Sequence, residues 1–332
     1  MKTVWTACLA AFVLLPALAD GLALMVPAYF GPRAGGDWDR LTAAARRVPL
    51  IAILNPASGP GDAVNPQYTR AIQAVRSAGG RVTGYVSTAY GRRVAEAVKE
   101  DIRRYHDFYT LDGFFLDEMS NDGSATSLAY YADLRQHILR LNPAYHITGN
   151  PGTTTQESYV TRPTADTVVT FEDGTGYPGY SPSAWTKRHP AHRFCHLLHS
   201  VAETSALTNA VRLAQSRNAG FLYVTDDVLN NPWDRLPAYW DAEVNLVERA
   251  NRDAAEARPP RLDLKHTGGD GARLEIHGTA GRYIVLHSPS SPATMAAAWL
   301  PLATNLTFTG ELAYEPLLFT PRPMALFHAR VE

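Results

Sequence analysis

Short apolar runs alternate with longer amphipathic stretches from residue 20 to about residue 250. The runs cover 22–29, 50–55, 81–87, 113–118, 146–150, 167–172, 193–199 and 221–226. Each is nearly continuously apolar, the pattern of a strand covered on both faces in a parallel sheet. Helical patterns lie between them. Residues 65–78 open on a capping Asn65 with Pro66 behind it and stop at Gly79-Gly80, a well-formed start and end. Residues 124–141 and 204–218 repeat apolar positions every three or four residues, and 235–251 closes the series. Eight strand-then-helix units over ~230 residues predict an α/β fold, a (β/α)8 TIM barrel. An open doubly wound sheet would carry a glycine-rich phosphate turn after its first strand. Tyr29-Phe-Gly-Pro-Arg-Ala-Gly-Gly lacks that G-x-G-x-x-G spacing.

The pattern changes near Pro259-Pro260. Alternating segments at 261–266, 273–277, 283–287, 306–309 and 325–330 are separated by Gly- and Pro-rich turns, which predicts a small C-terminal antiparallel β module, sandwich-like, over 261–332. The barrel is expected over 20–256. At the other end, Lys2 precedes an apolar run from Val4 to Leu18, followed by Ala17-Leu18-Ala19. That is the order of a cleavable signal peptide over 1–19, and the run is shorter than the ~20 residues of a membrane span. The expectation is a secreted or periplasmic protein with no membrane association once the leader is removed.

Composition adds little to this and excludes some partners. The chain has 332 residues, 45% hydrophobic and 19% charged, with 31 basic against 32 acidic residues. Such a balance gives no electrostatic reason to bind nucleic acid. Past the leader only Cys195 remains, so no internal disulfide can form; set in an apolar run, it reads as a small core residue. A monomer is expected.

In a (β/α)8 barrel the chemistry sits at the C-terminal strand ends. The fourth run, Leu111-Asp-Gly-Phe-Phe-Leu-Asp-Glu-Met, drives three large apolar residues into the core and ends on Asp117 and Glu118. Neighbours on a strand face opposite ways, so one carboxylate should enter the mouth while the other leans toward an adjacent strand. Two strands on, Val168-Val-Thr-Phe-Glu172-Asp repeats the design. Carboxylates facing each other across a sugar-sized gap are what glycoside hydrolysis needs: one protonates the leaving oxygen, the other attacks or activates water. Asp117, Glu118 and Glu172 are therefore the candidate catalytic residues. Asp117, rigid on its strand tip, reads as nucleophile or charge stabiliser. Glu172, behind an apolar run, reads as the proton donor. Asp173, before Gly174, reads as a cap. Candidate substrate-binding residues are Tyr29, Asn55, Tyr85, Asn150, Tyr177, His196, Tyr223, Asp226 and Trp233, drawn from the strand ends and the loops after them. His196 and His199 face opposite sides of a strand, and no H-E-x-x-H or Cys/His spacing occurs, so no metal and no cofactor are expected. Nor is there a Gly-x-Ser-x-Gly elbow.

Several segments, read together in order, resemble one family. They are Leu24-Met-Val-Pro-Ala-Tyr-Phe, Ile53-Leu-Asn-Pro-Ala-Ser-Gly-Pro-Gly, Gly84-Tyr-Val-Ser-Thr-Ala-Tyr-Gly, Asp112-Gly-Phe-Phe-Leu-Asp-Glu and Thr170-Phe-Glu. The chain is similar to the spherulation-specific, spherulin-4-like family, glycoside hydrolase family 135. The resemblance implies a (β/α)8 enzyme cleaving α-1,4-linked N-acetylgalactosamine or galactosamine in exopolysaccharide, endo-acting and retaining. The family's adjacent Asp-Glu pair and later Glu fall on Asp117, Glu118 and Glu172; the tail beyond Arg258 lies outside it. Two alternatives stand beside this: a non-catalytic polysaccharide-binding barrel, and a hydrolase of another amino-sugar polymer. A direct chitinase match is rejected, because Phe115 and Met119 stand where that signature needs Asp and Glu.

Overall fold

The computed structural model describes residues 21–162, 164–256, 261–266, 272–277, 281–288, 300–308, 317–319 and 326–331. The expected leader lies outside the described residues. The chain divides into two compact units between Ala250 and Asn251. In the first, eight parallel strands close into a barrel in sequence order: β1 (Ala23–Ala28), β2 (Leu50–Leu54), β3 (Arg81–Ser87), β4 (Gly113–Asp117), β5 (His146–Gly149), β6 (Thr167–Asp173), β7 (Phe194–Leu198) and β8 (Phe221–Val224). The helices are α1 (Asp37–Ala45), α2 (Pro66–Ser77), α3 (Ala95–Phe108), α4 (Ala125–Leu141), α5 (Ser158–Thr161), α6 (Thr204–Ser216) and α7 (Trp240–Glu256). This is the predicted TIM barrel. Helix α7 starts later than the apolar pattern suggested, since Arg235 and Pro237 belong to the loop before it. Among the described residues no helix is long and apolar enough to cross a membrane.

Strand alternation decides which side chains reach the barrel interior. Phe114 packs its ring on Tyr105 of α3, 6.3 Å between centroids, so Phe114 and Leu116 face the helices while Phe115 and Asp117 face inward. Gly84 faces α3 too: a Cβ there would sit 3.0 Å from Leu111 and Tyr105. Tyr85 and Ser87 therefore point in. Burial of each large apolar side chain, such as Phe114 and Phe115, contributes about 1.5–3 kcal/mol. At the opposite rim two aspartates repeat one device. Asp112 accepts from Val82 N–H and pairs with Arg76 of α2 at 3.0 Å; Asp166 accepts from Ile147 N–H and pairs with Arg135 of α4 at 3.0 Å. Each carboxylate satisfies the first free amide of a strand. Asp112 thus belongs to the foot of the barrel, away from the strand tips.

Where β8 meets β1 the ladder has only two register pairs, Ala23 with Phe221 and Leu24 with Leu222. Val224 N–H, left without a strand partner on that side, donates to Glu243 Oε1 of α7 at 2.8 Å. Burial pushes the Glu243 carboxyl well above its ordinary range.

The second unit contains β9 (Arg261–His266), β10 (Ala272–His277), β11 (Gly281–Ser288), β12 (Leu300–Phe308), β13 (Leu317–Phe319) and β14 (Leu326–Val331). They form two three-stranded antiparallel sheets, ordered β13-β10-β9 and β12-β11-β14.

Candidate active site

The centre of the barrel mouth is an amide shared by two acids. Asn150, just past β5, donates from Nδ2 to Asp117 Oδ1 and to Glu172 Oε2, each at 2.7 Å. Its Oδ1 accepts from Gly152 N–H at 2.8 Å, which fixes which end of the amide is nitrogen. Both Nδ2 hydrogens are then committed to carboxylates. Geometry follows directly: the bonded oxygens of Asp117 and Glu172 lie no further apart than twice 2.7 Å. Gly152, with φ +68°, also takes the Glu172 N–H on its carbonyl at 3.1 Å. The left-handed turn at Gly152 thereby closes a small ring of bonds around Glu172.

A break in strand regularity aims Glu172. Register shifts between Val169 and Phe171, which pair with Cys195 and His196 of β7. The extra residue re-aims the side chains that follow it. Glu172 reaches Asn150, while Phe171 packs outside the mouth against Tyr177 and Tyr180, with both centroid separations 4.8 Å.

The two acids are electrostatically unequal. Burial, and next the charge of Asp117, push the Glu172 carboxyl up to about 7. Burial raises Asp117 as well, but hydrogen bonds from the backbone at Glu118, from the Tyr85 hydroxyl and from Asn150 oppose the rise. Of the two, Glu172 is the carboxyl whose surroundings favour the protonated form near neutrality. Tyr29 closes the interior side. Its ring meets Tyr85 edge-on at 5.4 Å, and burial followed by the Asp117 charge holds its phenol well above the ordinary range.

Glu118 takes the other direction. It has φ +50°, unusual for a non-glycine residue, and its carboxylate accepts from Ser87 Oγ of β3 at 2.5 Å. Neighbouring side-chain hydroxyls hold that turn. The Thr88 hydroxyl lies 3.0 Å from the carbonyl of Asp117 and 2.8 Å from that of Glu118. Tyr131 of α4 meets the same hydroxyl at 3.0 Å and accepts from Ser120 N–H at 2.8 Å. Ser87, Thr88 and Tyr131 were not singled out from sequence. The signal, had it been read, was the paired hydroxyls ending β3.

Tyr29, Tyr85 and Asn150 thus join the acids, with Asn150 spent on the carboxylates themselves and not free to hold substrate. The other six expected binding residues do other work. Tyr177 is 5% exposed, its hydroxyl bonded to His196 Nδ1 at 2.8 Å and its ring covered by Arg217 at 4.7 Å. His196 is buried, and burial, then Arg217, push it down to about 3, so it is a neutral packing residue. Tyr223 is fully buried between Trp233 and Trp240. Trp233 is buried against His199 and Tyr223, leaving no open face for stacking. Asn55 braces its loop by accepting from Gly59 N–H at 2.9 Å. Asp226 lies two residues beyond β8 and pairs with Arg235 at 2.7 Å. Asp173 accepts from Gly174 and Thr175 N–H, a turn cap. Cys195 is buried, its thiol pushed well up by burial and then by Glu172, hence unreactive.

The barrel has counterparts among known proteins. Residues 23–247 match the profile described as Spherulation-specific family 4. Spherulin-4 of Physarum polycephalum is 30% identical over 245 residues, 70% of this chain and 72% of its own length. The crystal structure of Aspergillus clavatus Sph3 in complex with GalNAc is 25% identical, with TM-score 0.60, over 70% of this chain and 99% of that one. The chain belongs to the spherulation-specific family 4, its barrel supplying the matched region.

Proposed function

We propose that this protein is a glycoside hydrolase acting on an α-1,4-linked N-acetylgalactosamine polymer, with Asp117 as nucleophile and Glu172 as acid and then base. The observation that carries the reading is the Asn150 bridge, which holds Asp117 and Glu172 side by side on one amide nitrogen, with burial and the Asp117 charge pushing the Glu172 carboxyl up to about 7. Retaining glycosidases place their carboxyl groups about 5–5.5 Å apart, whereas inverting ones leave about 6.5–9.5 Å for a water. Two short bonds to one nitrogen favour the first arrangement. In the first step Glu172 gives its proton to the glycosidic oxygen as Asp117 attacks the anomeric carbon. The chain beyond the cleaved bond leaves as an alcohol. Glu172, now ionised, takes a proton from water, which displaces Asp117. Tyr85 and Asn150 hold the attacking carboxylate in line and stabilise its charge, while Glu118, held by Ser87, fixes the strand tip that carries Asp117.

The sugar assignment is supported by the GalNAc complex of the Aspergillus relative. Action outside the cell on exopolysaccharide is supported by the leader-like pattern of residues 1–19. A binding-only barrel would gain nothing from a carboxyl kept protonated next to a charged one, because amides and aromatics would hold sugar at lower cost. NMR of the first product released from an N-acetylgalactosamine oligomer tests the mechanism. An α anomer is expected. A β anomer would recast Asp117 as a base activating water, and absence of cleavage would refute the activity.

A further inference from the structure

Among the described residues, the exposed large apolar side chains are Val64, Tyr90, Val94, Val228 and Leu229. All five lie in the loops after β2, β3 and β8, on the mouth face. Tyr90 is the one ring among them, 52% exposed, and its backbone is unusual. Ala89, Tyr90 and Gly91 run consecutively through positive φ, at +46°, +59° and +76°. For the two non-glycine residues this conformation is unfavourable, and packing offers Tyr90 little in return. Arg92 approaches the ring at 5.5 Å, and about half of the side chain stays open.

What the strained turn does achieve is placement. Tyr90 N–H donates to the Glu118 carbonyl at 2.6 Å, and Thr88 holds the carbonyls of Asp117 and Glu118 from the same loop. The backbone that carries the ring is therefore tied to the strand tip that carries Asp117. Rigid support of this kind is what a recognition residue needs.

We propose that Tyr90 is a sugar-stacking platform, taking the apolar C–H face of a pyranose that flanks the one held between Asp117 and Glu172. A galacto-configured ring suits it, since the axial O4 leaves a run of C–H bonds on the opposite face. The inference rests on the glycoside hydrolase reading and adds a binding site to it. Tyr90 touches the polymer away from the reacting bond, so its contact is the same in ground state and transition state and enters KM alone.

The test compares the full-length wild type with Tyr90→Gly and Tyr90→Phe on soluble N-acetylgalactosamine polymer, together with thermal melts. Tyr90→Phe keeps the platform and should match the wild type. Tyr90→Gly should raise KM roughly 5- to 10-fold with kcat within about twofold. Its Tm should hold or rise, because glycine relieves the left-handed strain that tyrosine bears. An unchanged KM in Tyr90→Gly, beside a wild type that cleaves, overturns the platform and leaves the hydrolase reading intact. A lowered Tm overturns it too, by showing that the ring packs. A wild type that neither binds nor cleaves the polymer overturns both.

Discussion

Glu172→Gln should end hydrolysis and yet make the barrel more stable above pH 7. In the folded protein burial and the Asp117 charge raise the Glu172 carboxyl from 4.5 to about 7. The fold therefore binds a proton there more tightly than the unfolded chain does. Between about pH 4.5 and 7 the native state carries the extra proton, so stability falls as pH rises through that window. Below the window Glu172 is neutral in both states and contributes no penalty. Above it the full cost of holding a charge beside Asp117 is present. At 1.36 kcal/mol per unit, that cost is about 3 kcal/mol as an upper bound. Glutamine has the same shape, can still accept from Asn150 and never ionises. For a unit of this size, about 3 kcal/mol corresponds to a Tm gain of roughly 6–12 °C at pH 8, shrinking to nothing near pH 4. Calorimetric melts of both proteins from pH 4 to 8 measure it. If the two Tm curves run parallel across that range, Glu172 has an ordinary pKa in the fold, and its role as proton donor fails with the argument. Divergent curves would make Glu172 a cost to the fold, as functional groups often are.

Asn150→Ala removes a hydrogen bond that lowers both carboxyls, so both limbs of the pH profile of kcat/KM should move to higher pH. At about 1.5–3 kcal/mol per hydrogen bond to a charge, the move is about 1–2 units, and a shift to lower pH would contradict the bridge. Gly113→Ala should prevent folding, because a Cβ there would lie 1.9 Å from the His146 carbonyl oxygen at a φ of +155°. Gly176→Ala also has positive φ, +75°, but meets nothing within 4 Å, so it should cost only about 1–2 kcal/mol; denaturant melts separate the two cases.

The eight strands were legible in the chain because a strand buried on both faces writes itself as a continuous apolar run, with register set by the same residues. Asp117 and Glu172 were legible for a related reason: a carboxylate ending such a run has little to do in a core. The alternation rule also implied that Asp117 and Glu118 would part, and they do, one toward Asn150 and the other toward Ser87. Binding residues were harder to read. A tyrosine or tryptophan after a strand looks the same in sequence whether its ring faces the mouth or the helices. Tyr177, Tyr223 and Trp233 were placed by neighbours distant in the chain, among them Arg217 and Trp240. The exposure and left-handed backbone of Tyr90 are properties of the folded loop and leave no mark on the sequence. The irregularity at β6 that aims Glu172 depends on its pairing with β7, and the pairing of the two acids depends on Asn150 reaching two strands at once. Sequence alone determined which segments become strands and which acids stand at their tips, since both follow from local patterning. Tertiary structure decided which of the tip residues meet, because closing the barrel brings together groups that patterning along one strand cannot relate.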